Sequence, residues 1–160
     1  AASWAADFSG EPSSAGVIGE VGHNWATRDA QAAVDWLKSL PAGNGQNIGM
    51  HRAMHQWAVR DPTAASEYLS TMPASDSKDA AVRGFSSRLA WENPQAAMSW
   101  AESIGSDEQR KNAIIGVGRA WSKRDADGAA EWMVSSGVSE DVQQAILNPP
   151  KRDENGRQRR

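Results

Sequence analysis

The chain has no cysteine, which removes disulfides, thiolate metal ligands and cysteine nucleophiles together. The absence fixes no compartment, because a sufficient core needs no disulfide in any of them. Long apolar runs are missing too: nowhere do about 18 apolar residues follow one another, the length that a membrane-spanning helix requires. No stretch alternates with period two, so no strand is predicted. Phenylalanine and tyrosine are scarce, at two and one, and the formal net charge is only −3 with a pI near 5.6. That balance lacks the dense basic footprint of a nucleic-acid binder. The composition is nonetheless that of a folded chain, since 39% of its 160 residues are hydrophobic, enough for one ordinary domain.

Against this aromatic scarcity the chain carries eight tryptophans, and they are periodic. Trp4, Trp36, Tyr68, Trp100 and Trp132 are each 32 residues apart, and so are Trp25, Trp57, Leu89 and Trp121. Asp29, Asp61, Asn93 and Asp125 form a third column, and Ala33, Ala65, Ala97 and Ala129 a fourth. Leu40, Met72, Ile104 and Ser136 form a fifth. Self-similarity at a period of this size marks a repeat architecture. Seven of the eight tryptophans fall in two columns, so they read as packing residues reused unit by unit, not as a cofactor or sugar site.

Each unit reads as two helices. In the first, helix A, apolar or small residues fall at i, i+3, i+4 and i+7, as in Ile18, Val21, Gly22, Trp25 and again in Met50, Ala53, Met54, Trp57. Helix B does likewise with Ala33, Trp36, Leu37 and Leu40. Such spacing predicts one buried stripe per helix. Asp29, Asp61, Asn93 and Asp125 are residue types that cap the start of helix B, and Pro62 and Pro94 suit its first position, where an N–H has no partner. Pro41, Pro73, Gly105 and Gly137 end it. Ser106 with Gln109 matches a capping box for the next helix A. Residues 1–8 match the latter half of a helix B, so the chain begins inside a unit, as a fragment of a longer array or a processed product would. Residues 139–147 resemble the front of another helix A, cut short at Asn148-Pro149-Pro150. A repeat domain is predicted over residues 1–148, followed by a basic, disordered tail over 149–160.

Two-helix units of short period cannot bury their apolar faces alone and stack into a solenoid. The predicted fold is therefore an all-α, right-handed solenoid of two-helix repeats. The run W-A-x-R-D-P-x-A-A-x-x-Y-L-x-x-M-P across residues 57–73 resembles α-hairpin repeats of the tetratricopeptide and HEAT kind, and is most similar to arrays in large bacterial proteins. It departs from the tetratricopeptide pattern in its period of 32 and in lacking the Trp-Leu-Gly-Tyr spacing on one helix. The resemblance implies a scaffold that holds partners, and it transfers no catalytic residue.

Candidate chemistry is thin. His51 and His55 lie one helical turn apart, with His23 in the column of His55 one unit earlier, so three imidazoles could approach one another. The neighbour of His51 is Arg52, where a zinc hydrolase would carry a glutamate, and no metal site is assigned. No serine stands in a G-x-S-x-G context, and Gly16, Gly19 and Gly22 lie in a helix A without the strand a phosphate loop needs. No catalytic residue and no cofactor is assigned.

Charge, by contrast, sorts by helix. Helix A segments (13–28, 46–60, 76–91, 107–124) hold 11 basic and 5 acidic residues, and helix B segments (1–8, 29–41, 61–73, 93–105, 125–137) hold 1 basic and 9 acidic. Helix dipoles explain Arg28, Arg60 and Arg124 at the ends of helix A and the aspartates beside them. The polarisation survives their removal. Trp91 breaks the repeat, standing where other units place Thr27, Val59 and Lys123. One reading makes it an exposed interface anchor beside Arg88. The weightier one has it fill a gap left by the smaller Leu89. The candidate contact set is Trp91, Arg88, Arg52, His55, Arg119 and Lys123, facing a protein or acidic peptide. The expected function is a non-catalytic protein-interaction scaffold. Its alternative is a structural spacer within a larger bacterial protein. A carbohydrate-binding or carbohydrate-cleaving helical toroid comes third, since it needs more hairpins to close its ring.

Overall fold

The computed structural model describes residues 14–149. The half-unit expected over residues 1–8, with Trp4, and the tail from residue 150 onward lie outside the described residues. Among the described residues the fold is all α, with nine helices and no strand. Four longer helices, α1 (Ala15–Ala26), α3 (Asn44–Arg60), α5 (Asp76–Leu89) and α7 (Asp107–Arg124), alternate with four shorter ones. These are α2 (Ala30–Ser39), α4 (Pro62–Thr71), α6 (Pro94–Glu102) and α8 (Ala126–Ser136), and α9 (Glu140–Leu147) closes the described chain. The long helices coincide with the expected A segments and the short ones with B, to within a few residues.

One column of residues anchors each A-to-B corner. The amides of Asp29, Asp61, Asn93 and Asp125 donate to the carbonyls of Trp25, Trp57, Leu89 and Trp121 at 2.8–3.0 Å, which finishes the long helix. Their side chains then accept from the amides of Ala32, Ala64, Ala96 and Gly128 at 2.9–3.0 Å, which starts the short one. An aspartate or asparagine serves because its short oxygen reaches an amide that no helical carbonyl can satisfy, worth about 1 kcal/mol. At Ser106 the expected box is half formed. Its hydroxyl accepts from the Gln109 amide, while its own amide donates to Asp79 Oδ2 at 2.9 Å.

The B-to-A corners use a device of another kind. Leu40, Met72 and Ile104 carry the last carbonyls of their corners. These accept from Gln46 Nε2 at 3.0 Å, Lys78 Nζ at 2.7 Å and Arg110 Nη1 at 2.7 Å. Gln46, Lys78 and Arg110 are 32 residues apart, yet they share no chemistry except an N–H that can reach back over a turn. Each occupies the first turn or so of a long helix and ties it to the short helix before it.

The apolar stripes meet between these corners. Ala33, Ala65 and Ala97 are fully buried and Ala129 nearly so, alongside Ile18, Leu37, Met50, Met54 and Leu69. Each hairpin also holds an aromatic pair: Trp25–Trp36 at 5.7 Å between ring centroids, Trp57–Tyr68 at 5.2 Å, Phe85–Trp100 at 5.2 Å and Trp121–Trp132 at 6.2 Å. In the third unit Leu89 occupies the tryptophan column, and Phe85, one turn earlier on α5, supplies the ring instead. Tyr68 departs from the other column for a polar reason. Its hydroxyl donates to Asp35 Oδ1 at 2.5 Å, joining α4 to α2, and Lys38 lies over its ring.

Each long helix packs on the next, and α2, α4 and α6 each touch the long helices on either side, whereas no extensive contact joins one short helix to another. Glycine permits the close approach. A Cβ on Gly49 of α3 would lie 2.3 Å from Leu37 Cδ2, and one on Gly84 of α5 would lie 2.1 Å from the carbonyl oxygen of His51 on α3. At Gly116 of α7, in the same column as Gly84, a Cβ would meet nothing within 4 Å. Identical substitutions should therefore act in opposite directions. Gly84→Ala is expected to destabilise by about 1–3 kcal/mol, because backbone cannot step aside. Gly116→Ala should stabilise by up to about 1 kcal/mol through helix propensity. Urea midpoints at unchanged slope measure both, and shifts of the same sign would contradict this packing.

Candidate interaction surface

The six residues expected to face a partner all lie on long helices or on the turn after one. Trp91 sits in the turn between α5 and α6 and is 51% exposed. The gap at Leu89 does not draw it inward, because Phe85 already fills the aromatic place opposite Trp100. Arg52 on α3 pairs with Glu20 on α1, and Arg88 pairs with Glu92 on the following turn. Lys123 is exposed and makes no ion pair or hydrogen bond among the described residues. Arg119 is placed differently. Its Nε and Nη2 both donate to the Ala145 carbonyl, at 2.9 and 2.8 Å, so its fork fastens α9 to α7.

Histidines and arginines converge where α1, α3 and α5 run side by side. Burial, then Arg88 and His23, lower the pKa of the half-buried His55. His51 is held lower still, at about 4, first by burial and then by the charges of Arg83, His55 and Arg52. Its Nδ1 and the Nε of Arg83 are both shielded from solvent and without a hydrogen-bond partner among the described residues. His51 and Arg83 share the column of Gly19 and Ile115, next to the buried stripe. Neither belongs to the expected contact set. The signal that marks them is a polar side chain in a column whose other members are a glycine and an isoleucine.

Among the described residues no three His, Cys, Asp or Glu side chains are grouped to hold a metal ion. No helix among the described residues is long and apolar enough to cross a membrane. A groove of about 650 Å³ runs along α1, lined by Val17, Glu20, Val21, Asn24, Trp25 and Arg28. These positions precede Gly49, Arg52, Ala53, Gln56, Trp57 and Arg60 by 32 residues. On α3, Gly49 and Arg52 of that face meet α1, through Ile18 and Glu20 respectively. The groove is therefore the side of α1 on which a long helix lies elsewhere in the chain.

Because the folded pKa of His51 lies below its ordinary value of 6.5, the unfolded chain takes up the proton first. Stability should fall as pH drops below about 6.5 and the loss should level off below about 4, reaching about 3 kcal/mol in total. Carboxylates also titrate there, so the diagnostic is a difference. Urea unfolding from pH 7 to 4 should show a shallower pH slope for His51→Gln than for the parent chain. Parallel slopes would mean that His51 is not held neutral by the fold.

No protein-family model, no curated protein and no solved structure matches the chain.

Proposed function

We propose that this chain is a non-catalytic interaction scaffold, a right-handed α-solenoid of two-helix units that holds a protein or acidic peptide against its long-helix face. The observation that carries the reading is Trp91, a 51% exposed indole on a turn at the end of a long helix. A tryptophan in that state leaves apolar area in water that a partner would cover. The charge distribution supports the same face. Arg52, Arg88 and Lys123 lie on long helices, whereas Asp35, Glu67 and Glu131 lie exposed on short ones. The order of contacts supports the solenoid. Long helices pack on one another more extensively than short helices do, which favours an array bent toward its long-helix side. Arg119 is left out of the proposed contact set, because its guanidinium is bound to Ala145.

The competing reading, a structural spacer, leaves Trp91 without a role. Trp91→Ala is expected to keep the thermal midpoint within about 2 °C of the parent chain, the effect of changing an exposed residue, while partner capture falls. A loss of more than about 5 °C would instead make Trp91 a packing residue. A second variant with Arg52, Arg88 and Lys123 all changed to Glu separates the two functions. Chemical crosslinking in the native extract should lose its specific products for a scaffold, and a spacer would crosslink to the same neighbours before and after.

A further inference from the structure

Consecutive long helices meet through one recurring pair of columns. Gly19 of α1 faces Arg52 of α3, with a Cβ there 3.2 Å from Arg52 Cδ, and His51 of α3 faces Gly84 of α5, whose Cβ would strike backbone. The next pair in the series is Arg83 of α5 and Gly116 of α7. Here the helices part: a Cβ on Gly116 would meet nothing within 4 Å, and α5 and α7 touch over a shorter stretch than α3 and α5. The two are pinned near their N-terminal ends. Asp79 of α5 accepts from the amides of Gly105 and Ser106, both at 2.9 Å, just before α7 begins. Beyond that clamp, at Gly116, the seam has room for an added side chain.

The arginine at this seam is unlike its neighbours. Arg52 meets Glu20 across α1 and α3, and Lys111 meets Asp141 across α7 and α9. The Arg83 side chain has neither an ion pair nor a hydrogen bond among the described residues, and its Nε is shielded from water. Removing a guanidinium N–H from water without an acceptor is unfavourable by about 1–3 kcal/mol, and a carboxylate is the acceptor whose two oxygens match its fork. Arg83 is also the charge that most lowers the His51 pKa after burial itself, which places its guanidinium beside that neutral imidazole.

We infer that the seam between α5 and α7 receives an aspartate or glutamate side chain of an acidic partner segment, with Arg83 as its anchor. The inference rests on the long-helix face being the binding face, and it names the chemistry of the partner there. An acidic polypeptide fits better than a nucleic acid. One half-buried cation at the seam matches a single carboxylate side chain, whereas a phosphate backbone needs a row of exposed cations.

The test uses a fluorescein-labelled peptide of alternating Glu-Glu-Leu triplets, followed by fluorescence anisotropy on the full chain at low salt. Arg83→Gln should weaken binding about tenfold, the loss of one charged hydrogen-bonded contact. Gly116→Leu should weaken it similarly by filling the seam, with the thermal midpoint and helical circular dichroism kept, so a folding defect cannot mimic the result. Binding within about twofold of the parent in either variant would overturn the inference, as would tighter binding of a phosphoserine peptide or of duplex DNA. Should Trp91→Ala lose the peptide while Arg83→Gln keeps it, the long-helix face stands and the seam does not. Should the parent chain fail to bind the peptide at all, the seam inference falls, and crosslinking of the charge-reversed variant decides the wider reading by itself.

Discussion

Helices can lie backbone against backbone only where no Cβ intervenes, and at Gly84 the backbone of α5 rests on the carbonyl of His51. Much of the surrounding chemistry follows from that approach. Side chains flanking such a contact lose water whether or not they find a partner, because the neighbouring helix occupies the space the water would hold. His51 is therefore kept neutral by burial before any charge acts on it. The arginines around it are crowded together by the same approach, and their repulsion adds to the effect. The short helices, by contrast, carry alanine where they cross, and stand apart from one another, bridged in one place by Asp35 and Tyr68.

The corners supply rigidity that packing alone would not. An aspartate or asparagine bonded to both helices ties the end of one to the start of the next, so hydrogen-bond geometry constrains the angle of the hairpin. The return corner is looser in its chemistry. What the carbonyl of Leu40, Met72 or Ile104 needs is a donor long enough to reach it, and Gln46, Lys78 and Arg110 each supply one. Precision is placed on one side of each unit and tolerance on the other.

That division also explains what could be read from the residues. The tryptophan, alanine and aspartate columns are legible because each repeats one chemistry in most or all units, and the aspartate column, with Asn93, locates four corners to the residue. The donor column is hidden, since glutamine, lysine and arginine look unrelated until their common acceptor is seen. Phe85 is hidden for a similar reason: a ring moved by one helical turn keeps the pairing but leaves the column. The sequence therefore invites Trp91 into a gap at Leu89 that Phe85 has already filled. Arg119 sits correctly on α7 but is claimed by the carbonyl of Ala145, a contact that depends on α9 folding back. The seam at Arg83 depends on the spacing of two helices, and no residue pattern records a spacing.

Counting cations on the long helices overstates the charge a partner would meet. Arg28, Arg60 and Arg124 answer helix dipoles at their own C-termini. Arg52 and Lys111 are matched by carboxylates on adjacent helices, and Arg110 and Arg119 by backbone carbonyls. The fold has thus already used most of the polarity that the sequence displays. What remains unmatched among the described residues is small and local, chiefly Arg83 in its seam and Lys123 near the end of α7. Recognition on such a surface rests on a few positions and not on a broad field. For that reason a single exposed tryptophan and a single unpaired arginine carry more functional information here than the net basic charge of four helices.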